Sequence, residues 1–376
     1  MTDQHQTGMS IFDLLSRRWD LGAPIKSIAF SGDGSTVAFL LENGKLALMP
    51  CEDAESPDVR TNLDIETGRT TIRPRTAPPV SPRYPDVTAA PCSDIHGYRG
   101  FGFILTNSDG AVVEVTPAGQ VLPVVSLGQS DNTVISASAT TKQAAIAQGQ
   151  QITQIGPEGE ISVIEATGNG AVTAIALSSD GSHLATHQDD RLGIRNLQDP
   201  TGRSEYLDIP GKASLIVWES GNKRLVCALD NKTLAIADRR NGQVQIQPGF
   251  AANVRSAFFS TASNALLASG AFRLAGWSLD DLPGEGTAGT ALTSGKPALV
   301  LVEAIAHHPS RPFCAAGFTS GMLNICLVGK PDEMPLHMGT GAAVTTLEWS
   351  GDGKHLAAGF ADGSVALVAF PKQMFK

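Results

Sequence analysis

Val172-Thr-Ala-Ile-Ala-Leu-Ser-Ser-Asp-Gly-Ser-His-Leu184 occurs in three versions along the chain. The others are Val344-Thr-Thr-Leu-Glu-Trp-Ser-Gly-Asp-Gly-Lys-His-Leu356 and Ile25-Lys-Ser-Ile-Ala-Phe-Ser-Gly-Asp-Gly-Ser-Thr-Val37. Each is a short apolar stretch, a Ser-x-Asp-Gly turn and a second apolar stretch. Asp-Gly between such stretches signals a hairpin, because Gly supplies the positive φ that the turn requires. Weaker copies begin at Ser214, Val254 and Val302, and the faintest are Val134-Ile-Ser-Ala-Ser-Ala139 and Val87-Thr-Ala-Ala-Pro-Cys92.

Anchoring each copy on the last residue of its first stretch gives positions 30, 92, 139, 177, 218, 259, 307 and 349. The first gap is 62 and contains an insertion; the others run from 38 to 48. A period in the low forties with four short strands per unit is that of a β-propeller blade. In the best copy the expected strands are 173–177, 183–187, 191–197 and 204–209, separated by Gly, Asp, Asn or Pro. The expectation is an all-β propeller of eight blades over 11–376, preceded by a flexible tail (1–10). Seven blades is the alternative, reached by dropping the unit at Val87. The last unit runs out at Phe370, with no room for a fourth strand. Ser16-Arg-Arg-Trp-Asp-Leu21 is the expected donor that closes the ring, since an unpaired edge invites aggregation. Ser10-Ile-Phe-Asp13 ahead of it reads as a capping box.

The 376 residues carry 28 basic and 37 acidic side chains, for a net charge of −9. That balance disfavours nucleic acid and anionic membrane surfaces. No apolar run approaches the roughly 20 residues of a bilayer span. The polar start does not resemble a secretory signal. Five scattered cysteines fit a reducing compartment, so a cytoplasmic protein, monomeric on its own, is expected.

On these repeats the chain resembles the WD-repeat β-propeller family from about residue 20 onward. Asp362-Gly-Ser-Val-Ala-Leu-Val-Ala369 keeps the front half of the family's third-strand motif without its Trp-Asp. Leu274-Ala-Gly-Trp277 keeps only the Trp, and Leu234-Ala-Ile-Ala-Asp238 only the Asp. The resemblance implies a non-catalytic scaffold for protein partners that the sequence does not identify. A propeller-fold hydrolase or metal-dependent enzyme using the central channel is the alternative.

Aligning the units puts Lys26, Thr88, Ile135, Thr173, Ser214, Arg255, Glu303 and Thr345 at the first positions of the innermost strands. In resembling propellers this level helps form the partner-binding face. Lys26, Arg255, Glu303 and Thr345 are therefore the candidate site, with an Arg255–Glu303 ion pair as the competing account of two of them. The insertion at 50–86 supplies the second candidate. Arg69, Arg73, Arg75 and Arg83 lie in a stretch with four prolines and no acid, read as an extended, poorly packed loop or a docking arm for an acidic partner. No cofactor, metal or catalytic set is expected. His183 and His187 on one strand stand about 13 Å apart. Cys314 and Cys326 lie on neighbouring expected strands. There is no Gly-x-Ser-x-Gly, Cys-x-x-Cys or His-Glu-x-x-His.

Overall fold

The computed structural model describes residues 9–63, 70–90, 94–130, 132–166, 168–199, 203–284 and 286–375. Among them, eight antiparallel sheets of three or four strands follow one another along the chain, with a separate two-stranded sheet, Thr61–Leu63 and Thr70–Ile72, in the insertion. Their innermost strands are Ile25–Phe30, His96–Tyr98, Thr133–Ser138, Ala174–Leu177, Ala213–Trp218, Ala257–Ser260, Val302–His307 and Val344–Trp349. Each lies against the innermost strand of the next sheet, and Val344–Trp349 returns to Ile25–Phe30. The chain is an eight-bladed, all-β propeller, with the sheets numbered blades 1 to 8 in that order. The best-read unit, blade 4, has strands Ala174–Leu177, His183–Gln188, Arg191–Asn196 and Ser204–Asp208, within two residues of expectation.

The repeated turn explains its own sequence. In blades 1, 4 and 8 the hydroxyls of Ser31, Ser178 and Ser350 donate to Asp33, Asp180 and Asp352 at 2.6–2.7 Å. The same hydroxyls accept the amides of Thr36, His183 and His355 across the hairpin. The aspartates also accept the amides of Ser35, Ser182 and Lys354. Gly34, Gly181 and Gly353 follow with φ of 70°, 69° and 69°, the left-handed region where a side chain is strained. Partial burial raises each carboxyl, but these hydrogen bonds outweigh it. Asp33 and Asp180 sit below the ordinary 3.8, and Asp352, which the Lys354 ammonium also meets at 2.7 Å, falls to about 2. A carboxyl held below its unfolded value stabilises the fold while ionised. That contribution is complete above about pH 4 and fades as pH falls towards 2. Melting temperature should therefore drop through this window, and less steeply in a D33N/D180N/D352N triple variant. Parallel acid profiles for the two proteins would contradict the assignment.

Two units depart from the expected register. The innermost strand of blade 2 is His96–Tyr98, not the stretch beginning at Val87, whose last residue, Cys92, lies outside the described residues. Thr88 instead bridges Lys45, and Ala89 bridges Asn107. The strand at 96–98 turns through Arg99 (φ 47°) and Gly100, a hairpin without the Asp-Gly signal. In blade 3, Ala137 pairs with Ala144 seven residues on, the spacing by which Phe30 pairs with Val37. The anchor is therefore Ala137 rather than Ala139, and buried Ile135 leaves the mouth position to Thr133.

Closure follows the expected route, with helix and strand both present. Ser10 caps the helix Ile11–Leu15 in a reciprocal capping box with Asp13. The chain then enters Ser16–Asp20, which pairs antiparallel with Ser364–Ala369 as the outer strand of blade 8. Phe12 and Leu15 join the core of blades 7 and 8 with Trp349, Leu356 and Phe370. Trp349 is buried and its indole donates to the Ala306 carbonyl at 3.1 Å. Trp349→Ala should cost about 3–5 kcal/mol in urea denaturation. A loss below about 1 kcal/mol would show that the ring does not depend on this contact.

Candidate functional site

A propeller's innermost strands share no backbone ladder across blades, so side chains must join them. Ser27 Oγ accepts the amide of Ile95 from blade 2. His96 Nε2 donates to the Ile135 carbonyl of blade 3 at 3.0 Å. Ser136 Oγ accepts the Leu177 amide of blade 4 at 3.0 Å, and Trp218 Nε1 reaches back to the Ala176 carbonyl at 3.0 Å. Ser256 Oγ accepts the Ile305 amide at 2.9 Å. Between blades 8 and 1, Thr345 Oγ1 donates to the Ile25 carbonyl at 2.7 Å. Beside it, the Glu348 carboxyl meets the Phe30 amide. These staples hold open an axial channel, seen as a cavity of about 940 Å³ with an adjoining one of about 510 Å³.

Lys26, Arg255 and Thr345 border the larger cavity. Glu303 stands beside them, with one oxygen 2.9 Å from Arg255 Nε. Arg255 is 65% exposed and Glu303 18%, so the guanidinium keeps a solvent-facing side beyond its pairing. Thr345 is committed to ring closure. The structure thus joins Arg255 to Glu303 and brings Lys26 and Thr345 to the same channel. Thr88 is absent from the wall, and Ile135 is core.

Glu348 is a residue that the sequence reading passed over. It precedes the anchor Trp349, where the copies in blades 1, 4 and 7 carry Ala29, Ala176 and Ala306. A carboxylate at a position where blades 3 to 7 carry Ser136, Ala176, Val217, Phe258 and Ala306 was the available signal. Burial raises its pKa from 4.5 to about 8, against the opposing Phe30 amide. A carboxyl raised in the folded state loses stability as pH climbs from about 4.5 to about 8, where the unfolded chain has released its proton and the fold has not. Glu348→Gln keeps the acceptor and removes the titration. Its melting temperature relative to the parent should rise across that window and level off above it. An offset independent of pH would contradict the shift.

The arginine-rich insertion differs from the poorly packed loop expected. Arg75 binds Asp53, and Arg73 Nη2 lies 3.5 Å from Glu55. Glu55 also accepts the amides of Thr76 and Ala77 at 2.9 Å. Buried Arg60 donates to the carbonyls of Leu14, Glu55 and Arg73. Arg83 donates to the Pro117 carbonyl at 3.0 Å, and its backbone bridges Leu48, covering the outer edge of blade 1. The acids that pair these arginines come from before the run, out of reach of a local reading. Arg69 lies outside the described residues.

The histidines considered as a metal pair serve separate contacts. His183 meets Ser182 and packs near Trp218, while His187 meets Thr173 and the Ile209 carbonyl. Cys314 and Cys326 stand opposite each other on paired strands, both buried and free.

Residues 333–367 match the family model "WD domain, G-beta repeat". No curated protein matches the chain in sequence. Among solved structures, the β-propeller domain of Cps50 (Swd1) from Myceliophteria thermophila is 16% identical, with a TM-score of 0.56. That match covers 76% of this chain and 98% of the other. A chain of a mitotic checkpoint complex is 12% identical, covering 99% of each chain with a TM-score of 0.57. The computationally designed Ika8 protein is 16% identical at a TM-score of 0.65, covering 95% of this chain and 99% of its own. The matched repeat begins in the outer strand of blade 7 and ends in the third strand of blade 8; over those residues the chain is similar to a WD repeat, and the solved structures share its overall fold.

Proposed function

We infer that the protein is a non-catalytic interaction platform whose principal docking surface is the channel mouth bordered by Lys26 and Arg255. The WD-repeat propeller supports a protein-interaction scaffold in general terms. The observation that carries the finer reading is Arg255. Its largely exposed guanidinium stands at the opening of a stapled channel, and Glu303 meets it at one nitrogen. Rigid walls hold such a charge where a partner's carboxylate can reach it without reordering the site. The arginine insertion is not the basis of this reading, because Arg73, Arg75 and Arg83 already bind groups of this chain. A reducing compartment suits the four described cysteines, all buried as free thiols.

Affinity capture from a cytoplasmic extract, quantified for the parent, Arg255→Ala and Lys26→Glu, tests the assignment. Recovery of specific proteins should fall several-fold in both variants. Melting should barely change, since an exposed ion pair contributes about 0–1 kcal/mol. Equal recovery from all three would remove the mouth from consideration.

A further inference from the structure

The seam between blades 3 and 4 is buried at Ala145, Ala147, Ile152, Val172, Ile175 and Leu184, while Ile164 and Ala166 at the outer strand of blade 3 are only half-buried against them. Farther out it opens into a cavity of about 610 Å³. The cause is legible in the third strand of blade 4, Arg191-Leu-Gly-Ile-Arg-Asn196. Leu192 and Ile194 face blade 5 and join its core. The opposite set, Arg191, Gly193 and Arg195, lines the cavity. In register these three correspond to Thr233, Ala235 and Ala237 of blade 5 and to Ser364, Ala366 and Val368 of blade 8. Ala237 and Val368 are fully buried core residues.

Arg195 therefore puts a guanidinium where other blades put aliphatic packing. It is half-buried, and among the described residues no carboxylate pairs with it. Desolvating a cation without a counter-charge is unfavourable, and a planar guanidinium is matched to a carboxylate. Gly193 leaves room for the Tyr206 ring to lie beside it, since a Cβ there would stand 3.2 Å from both the ring and Thr186 Oγ1. Tyr206, Ile152 and Ile164 form the apolar wall. At the other end Arg191 is already paired with Asp208 at 3.2 Å, and Asp189 accepts the amides of Asn169 and Gly170. The groove is thus polarised. Arg195 lies four strand residues from Arg191, roughly 13 Å, the length of about four extended residues.

We propose that this groove binds an extended acidic peptide of a partner protein, its carboxylate on Arg195 and an apolar side chain against Tyr206 and Ile164. The site is separate from the channel mouth and does not depend on it. The probe is a fluorescein-labelled hexapeptide pool with Glu fixed at one position and Leu, Phe or Tyr two residues away. A matched pool carries Gln in place of Glu. Fluorescence anisotropy should show saturable binding of the Glu pool to the full chain. Arg195→Gln, or the Gln pool, should weaken it about tenfold, and Gly193→Val should block it. Arg195→Gln changes a partly solvent-facing group, so it remains informative if Gly193→Val fails to fold. Arg255→Ala should bind as the parent does. Absence of saturable binding, equal affinity for both pools, an unaffected Arg195→Gln variant, or loss in Arg255→Ala would each overturn the assignment.

Discussion

A ring of sheets folded from one chain has one seam that no peptide bond holds, the pairing of its first strand with its last, and the ring stays open without it. Between blades 1 to 8 the polypeptide itself ties each sheet to the next. Between blade 8 and blade 1 the tie is the strand Ser16–Asp20, which lies along Ser364–Ala369 in blade 8 and runs on into Ile25–Phe30 of blade 1. Thr345 and Glu348 fasten the inner side of the same junction to Ile25 and Phe30. Arg17 adds a buried anchor, donating to the carbonyls of Cys51 and Glu52. Closure also removes the sheet edge that would otherwise recruit another chain.

With the ring shut, the side-chain staples set the channel and leave its mouth rigid. The same economy explains the arginine insertion. It neutralises itself against Asp53 and Glu55, covers blade 1, and packs beside the entering amino-terminal segment. What remains for partners is what the frame does not consume: the exposed side of Arg255 at the mouth, and the guanidinium of Arg195 in an incompletely packed seam.

The blade period and the closing strand were readable because their signals are local. Ser-x-Asp-Gly encodes a turn through hydrogen bonds spanning five residues. The short last unit announces a missing strand. Blade 2 was misplaced because the stretch from Val87 has the apolar and small character of an inner strand, whereas the true one turns through Arg99 and Gly100. Blade 3 slipped by two residues because its turn has no Asp-Gly to fix the register. The insertion was misjudged because Asp53 and Glu55 lie some twenty residues before the arginines they meet. Glu348 and Arg195 stood in plain view, but each has meaning only once the register sets it against uncharged counterparts, Ala29 and Ala306 for the first, Ala237 and Val368 for the second.

The account rests on the amino-terminal strand completing blade 8, and register-specific cross-linking tests this directly. Asp20 and Ser364 face each other at the end of that pairing. In a D20C/S364C variant, mild oxidation should join the two positions rapidly and nearly completely within one molecule, and the cross-linked form should melt higher than its reduced form. A pair that stays reduced, or that links only between molecules, would contradict a ring closed by its own first strand.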